Sequence, residues 1–443
     1  MKFHRFTFLT LVAAISSEHF GLAATADSKV VCYYDSRSNN REGQGKFDIA
    51  FLEPALQFCT HLIYGYAGIK EENFKLVPLN EPLDINRQNF KHITDLKRRF
   101  PGLRVLLSVG GNVDVSGEGS EKNMKYRTLL EAVENRLAFV NSAHTLVKNY
   151  GFDGLDLAWE FPETKPKKIR NKFTGFFVNL KHKIVGESVI DEKAEEHKEQ
   201  FIALVRELKN EFRHDGLLLS ISVLPNVNGS VYFDPRQVAP HVDFVSLQAF
   251  DYRTPERNPK ELDYPAPLYE LLDRKFDENA DYQVRYWLSN GLPSHKLILG
   301  IPTYGRSWKL NEDSGLTGVP PTPADGAADP GQYTQEAGLL SYPEVCVKIA
   351  TPKEIQAGYL GKLRKVNDPT KRFGVYAFRL PDNNGEGGIW IGYEDPDTAG
   401  NKASYAKAKS LGGIALVDIS LDDFRGLCTG DKYPILRAAR FRL

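Results

Sequence analysis

Two carboxylates and a methyl group share one side of a short apolar stretch, Gly151-Phe152-Asp153-Gly154-Leu155-Asp156-Leu157-Ala158-Trp159-Glu160-Phe161-Pro162. Along a strand successive side chains face opposite ways, so Asp156, Ala158 and Glu160 point to one side and Leu155, Leu157 and Trp159 to the other. Leu-x-Leu-x-Trp on the second side asks for burial on both faces. Unpaired carboxylates inside a protein are costly, so such a strand carries acids because they react or hold something. A positioned Glu with a second acid nearby is the equipment of general acid catalysis. Asp153, at the Asp-Gly step, reads as a strand-entry hydrogen-bonding residue, and Asp156 as the polar neighbour of Glu160.

The elements that must position these acids follow from the alternation of short β-branched runs with longer amphipathic segments. Eight runs stand out, at residues 30–34, 61–67, 104–109, 154–160, 217–224, 244–250, 297–303 and 413–418. Helices are expected over 131–149 and 195–212, the latter with a stripe of Phe201, Leu204, Val205, Leu208 and Phe212. Eight such units imply a (β/α)8 barrel, with its reactive groups at the carboxyl ends of the strands. Two connections are long. Residues 161–196 include the basic run Lys165-Pro-Lys-Lys-Ile-Arg-Asn-Lys172, read as a solvated loop. Residues 308–404, rich in Gly, Pro and aromatics, read as a small α+β insertion domain between the seventh and eighth strands. The barrel is then expected over 27–307 and 405–443.

The chain begins with a basic Met1-Lys-Phe-His-Arg5, an apolar run too short to span a bilayer, and small residues at Ala24-Thr25-Ala26. Residues 1–26 therefore read as a signal peptide, with a cut after Ala24 equally compatible, and the mature chain as secreted and extracellular without a membrane span. Lys plus Arg and Asp plus Glu number 57 each, a balance that gives no signal for nucleic acid. Cys32, Cys59, Cys346 and Cys428 lie in the mature part and suit two disulfides. Three pairings are open; order along the chain favours Cys32 with Cys59 and Cys346 with Cys428. No Cys-x-x-Cys spacing, histidine cluster or phosphate-cradling glycine loop calls for a metal or cofactor. Asn228-Gly229-Ser230 is a glycosylation sequon in an expected exposed turn.

Around Glu160 the sequence resembles the Asp-x-x-Asp-x-Asp-x-Glu signature of the glycoside hydrolase family 18 chitinases. Asp153, Asp156 and Glu160 match it, and Ala158 stands where the third Asp belongs. The resemblance extends through Leu107-Ser108-Val109-Gly110-Gly111, Gly300-Ile-Pro-Thr-Tyr-Gly-Arg306 and Leu421-Asp-Asp-Phe424. Within that family the chain resembles the imaginal disc growth factors of insects, through Val31-Cys-Tyr-Tyr-Asp-Ser36, Val223-Leu-Pro-Asn-Val-Asn228 and Gly430-Asp-Lys-Tyr-Pro-Ile-Leu-Arg437. The resemblance implies the same disulfide pairing that chain order favours.

What it implies for chemistry is substrate-assisted hydrolysis. Glu160 would protonate the glycosidic oxygen while the sugar's own acetamide attacks, and the third Asp would orient that acetamide and help hold the proton on Glu160. Ala158 can do neither. Active members carry Met-x-Tyr-Asp where this chain has Gln248-Ala249-Phe250-Asp251, and a Trp where it has Val417. Losing one preorganised partner costs about a hundred- to a thousand-fold in rate, so no useful chitinase activity is expected. Three readings remain. The first, implied by the resemblance, is a growth or survival factor acting through an unidentified cell-surface receptor in cooperation with insulin. The second is a lectin for chitin or N-acetylglucosamine oligomers using Tyr34, Tyr252, Tyr304 and Trp390, each of which is also a candidate for plain packing. The third is a weak chitinase relying on Glu160.

Overall fold

In a computed structural model, which describes residues 28–117, 122–164, 191–358, 361–381 and 387–443, eight parallel strands close into a barrel. They are β1 (Lys29–Asp35), β2 (His61–Ile69), β3 (Arg104–Gly110), β4 (Gly154–Ala158), β5 (Leu218–Val223), β6 (Phe244–Leu247), β7 (Leu297–Pro302) and β8 (Gly413–Val417). Closure is visible at β1, which pairs with β2 through Tyr33 and Ile63 and with β8 through Cys32 and Leu416. The expected signal peptide and the basic run 165–172 lie outside the described residues. Among the described residues no helix is long and apolar enough to cross a membrane.

The barrel has two cores. Val31, Tyr33, Ile63, Leu106, Phe244, Ile298 and Ala415 fill its interior. A larger cluster between strands and helices takes up Leu155, Leu157 and Trp159. Trp159 meets Tyr126, Phe139 and Phe201 at ring separations of 5.0, 5.8 and 5.7 Å. The apolar face of β4 therefore packs on helices, and its acidic face looks into the barrel.

Several boundaries move. β6 stops at Leu247, three residues short of the expected end, because the chain turns out of its ladder: Ala249 N–H bonds to the Leu247 carbonyl at 3.0 Å, and Asp251 adopts φ +56°. The helix expected over 131–149 spans Val133–Tyr150, and a separate helix, Met124–Glu131, precedes it across the extended Ala132. The helix expected over 195–212 spans Ala194–Arg213, and its apolar stripe is buried throughout.

The insertion is a five-stranded antiparallel sheet with the strand order Leu339–Ser341, Tyr304–Lys309, Ile389–Tyr393, Val375–Arg379, Arg364–Asn367. It begins two residues after β7. Helix Pro396–Ala408, which the expected boundary at 404 cuts, packs on β7, β8 and the C-terminal helix Pro434–Arg442. Cys32 is bonded to Cys59 and Cys346 to Cys428, with Cα separations of 6.0 and 5.7 Å. The second bond ties the insertion to the segment after β8, across a sequence separation of 82.

Candidate functional site

The four sequence-marked positions of β4 do three different jobs. Asp153 sits at the strand's entry, where its carboxylate accepts from the Val105 N–H at 2.8 Å and pairs with Lys97 at 3.1 Å. Register places Asp156 between Ser108 of β3 and Ser220 of β5. Both hydroxyls donate to it, at 2.8 and 2.7 Å, and Ser222 donates at 2.9 Å. Burial raises its pKa, and the three serines oppose the rise. The expected partnership of Asp156 with Glu160 is not what holds it: the hydrogen bonds of Asp156 go to serines one layer deeper. Ala158, 1% exposed, follows on the same face.

Glu160 lies two residues beyond the end of β4 and is 2% exposed. One carboxylate oxygen accepts from the side-chain amide of Asn123; the other is buried without a partner. Its pKa is pushed up to about 7, by burial first and then by the Asp114 carboxylate, against a backbone hydrogen bond from Asp114 and the pull of Lys122 and Lys125. This corrects the expectation that losing the Asp at position 158 leaves Glu160 without a neighbouring carboxylate to keep its proton. The charge comes from a different loop.

That loop, after β3, was missed from sequence. Asp114 is held by the Lys125 ammonium at 2.6 Å, the Tyr126 hydroxyl at 2.8 Å and the Ile69 N–H at 2.9 Å. Asn123 is pinned by bonds to and from Ser116. A Cβ on Gly110 would fall 2.3 Å from the Ala158 carbonyl oxygen and 3.1 Å from Cγ of Glu160, at a backbone φ of +94°. Only glycine lets β3 run this close to the acid. The available signal was positional: charged residues in a loop leaving the carboxyl end of a barrel strand.

Phe250 and Val417 belong to a single apolar cluster with Ala266, Tyr304 and Leu421. Phe250 meets Tyr304 edge to face at 6.3 Å. The Tyr304 hydroxyl is committed to Asp251 at 2.7 Å, and Arg306 clamps the same carboxylate at 2.9 and 2.6 Å. Of the glycan-binding candidates, Tyr34 and Trp390 are 0% exposed and offer no face to a sugar. Tyr34 packs against Phe47 and Tyr64, and Trp390 against Trp308 and Tyr376 in the insertion's core. Tyr252 and Tyr304 retain 9% exposure each. Asn228 is exposed as the N-cap of a short helix, Gly229–Tyr232, rather than in a free turn, and Gly229 is buried.

Glu160, about half protonated at neutral pH, can act as a general acid. On the same face at position 158 stands a methyl group, which can neither orient a substrate dipole nor stabilise developing charge.

The family model of the glycosyl hydrolases family 18 matches residues 29–422. The chain is 54% identical over 424 residues to the chitinase-like protein Idgf4 of Glossina morsitans morsitans, covering 95% of each. It is 49% identical over 438 residues to imaginal disk growth factor 6 of Drosophila melanogaster, covering 98% of this chain and 97% of that one. Among solved structures, catalytic domain 2 of the Ostrinia furnacalis Group II chitinase matches with a TM-score of 0.77 at 29% identity, over 94% of this chain and 96% of that one. Human YKL-39, described as a pseudo-chitinase with retained chitooligosaccharide binding properties, matches with a TM-score of 0.71 at 26% identity, over 94% and 99%.

Proposed function

Because the chain belongs to the glycosyl hydrolases of family 18, we infer that it is a chitinase-like protein whose barrel has kept the acid and given up the reaction. The carrying observation is the inward face of β4, where the buried Glu160 follows a methyl at Ala158. An acetamide placed there would meet no carboxylate at position 158 and no phenol at Phe250. Either loss removes a preorganised interaction with the transition state, and together they leave Glu160 with a proton and no stabilised intermediate to deliver it to.

The protein acts instead as a secreted growth or survival factor, through a cell-surface receptor and in cooperation with insulin. Its similarity to imaginal disk growth factor 6 supports this reading. Purified protein added to cultured insect cells, with and without insulin, is the test; growth indistinguishable from buffer in both arms would end it.

A second reading, a lectin for N-acetylglucosamine oligomers, is favoured by the likeness to human YKL-39, a pseudo-chitinase described as retaining such binding. Retention on chitin beads that soluble oligomer competes away supports it, and free passage of the folded protein counts against it.

A further inference from the structure

A cavity of about 280 Å³ opens where the insertion meets the last two helices of the chain. It lies between the turn that joins the insertion strands Arg364–Asn367 and Val375–Arg379 and the helices Pro396–Ala408 and Pro434–Arg442. None of Ala158, Glu160, Phe250 or Tyr304 lines it. Its size falls just below the about 300–1,000 Å³ of drug-sized sites, which suits a body of one ring. Leu268, Phe373 and Val375 give it an apolar wall, and the exposed cations Lys371, Arg372 and Arg442 reach it from the turn and from the C-terminal helix.

Packing, not acid, holds the two arginines. Arg372 lies over the Tyr269 ring at 4.7 Å, and its carbonyl accepts from the N–H groups of Leu268 and Tyr269 at 3.0 Å each. Arg442 crosses Gly400 so closely that a Cβ there would fall 2.7 Å from its Cδ, and it donates to Asn401 Oδ1 at 3.1 Å. Among the described residues neither Lys371 nor Arg372 has a carboxylate partner.

The acids of the lining are mostly engaged. Asp395 accepts from the Thr398 N–H at 2.8 Å and pairs with Lys365 at 2.5 Å, and the buried Lys402 pairs with Glu394. Asp368 accepts from the backbone N–H groups of Thr370, Arg372 and Phe373 at 2.8, 2.7 and 2.8 Å and from the Thr370 hydroxyl at 2.6 Å. Asp397 meets Arg442 at 3.5 Å with its own side chain 81% exposed, a contact of little strength. Three cations thus stand against Asp368 and Asp397, an excess of one positive charge. Arginine forks fixed by packing and open at their N–H edges match the oxygens of an anion. We propose that this cavity binds a small organic anion, a carboxylate or sulfate ester on a body of one ring, with the oxyanion on Lys371, Arg372 and Arg442 and the ring on Leu268 and Phe373.

The test is isothermal titration calorimetry of the full-length chain with benzoate and phenyl sulfate, beside inorganic sulfate and benzyl alcohol, which carry the charge and the ring separately. At least one of the two ring anions should bind saturably, at about millimolar or tighter, and at least about tenfold more tightly than inorganic sulfate or benzyl alcohol. Added salt should weaken it. Lys371→Gln combined with Arg372→Gln should cut the affinity at least about tenfold while leaving the circular dichroism spectrum unchanged. Asp397→Asn should act the other way and tighten binding about two- to five-fold, a gain that damage to the fold does not imitate. Absence of saturable heat with both ring anions overturns the proposal. So does an affinity unchanged in Lys371→Gln/Arg372→Gln, or inorganic sulfate binding as tightly as the ring anions, which would leave a charged surface and no pocket. None of these outcomes depends on whether Glu160 hydrolyses anything or on the reading of the protein as a growth factor.

Discussion

Asp156 and Glu160 stand four residues apart on one face of one segment, both nearly inaccessible, and they are treated oppositely. Asp156 has hydroxyls from three serines around it, whereas Glu160 has one side-chain partner, the Asn123 amide, and one oxygen left unpartnered. Burial lifts both pKa values. Partner supply separates them: a fully bonded carboxylate organises the barrel interior, and a half-bonded one beside a second acid holds a proton it can release. The residue between them, Ala158, turns the second into an isolated donor.

The largest effect that would break this contrast is at Asp156. Asp156→Ala strands the hydroxyls gathered around it and should destabilise the fold by about 3–5 kcal/mol in urea unfolding; a loss below about 1 kcal/mol would mean the serines are satisfied without it.

Glu160 should respond to pH instead. Its folded pKa of about 7 lies above the ordinary 4.5, so the folded state holds the proton more tightly than the unfolded chain. The stabilisation is complete below the unfolded value and is lost as pH rises through the folded one. At about 1.4 kcal/mol per tenfold change in affinity, the loss amounts to about 3 kcal/mol. Glu160→Gln should flatten that part of the curve, leaving the variant more stable than the parent above neutrality. Urea midpoints measured from below the unfolded value of 4.5 to above the folded value of about 7 decide it, and an unchanged slope would place the titration elsewhere.

Restoring partners is the next test in size. Ala158→Asp combined with Phe250→Tyr should raise hydrolysis of an N-acetylglucosamine oligomer about a hundred-fold over the parent. The smallest effect is expected from Asn123→Ala, which removes the side-chain hydrogen bond to Glu160. It should cost about 1–2 kcal/mol, read from the shift in denaturation midpoint.

Much of the barrel was legible because each strand announces itself by a β-branched run and β4 by its two-faced alternation. The side-chain directions of Leu155, Leu157 and Trp159 against Asp156, Ala158 and Glu160 follow from period two alone. Ends of elements were less legible. The turn that halts β6 is followed by Asp251 at positive φ, and the start of the helix Val133–Tyr150 at Ala132 has no glycine or proline as a marker. The electrostatics of Glu160 were not legible at all. Asp114 and Asn123 reach it from a loop after β3, so their effect exists only once two strands are neighbours. Aromatic candidates misled for a related reason: Tyr34 and Trp390 have the chemistry to stack on sugars, and packing has used their faces.

The most direct measurement is hydrolysis of a fluorogenic N-acetylglucosamine oligomer by the wild type, Glu160→Gln, the Ala158→Asp/Phe250→Tyr variant, and that variant with Glu160→Gln added. Wild type and Glu160→Gln should both stay at background, the restored variant should be active, and that activity should be lost when Glu160 is replaced there. Turnover by the wild type that disappears in Glu160→Gln would contradict it, because the retained acid would then be sufficient without its partners.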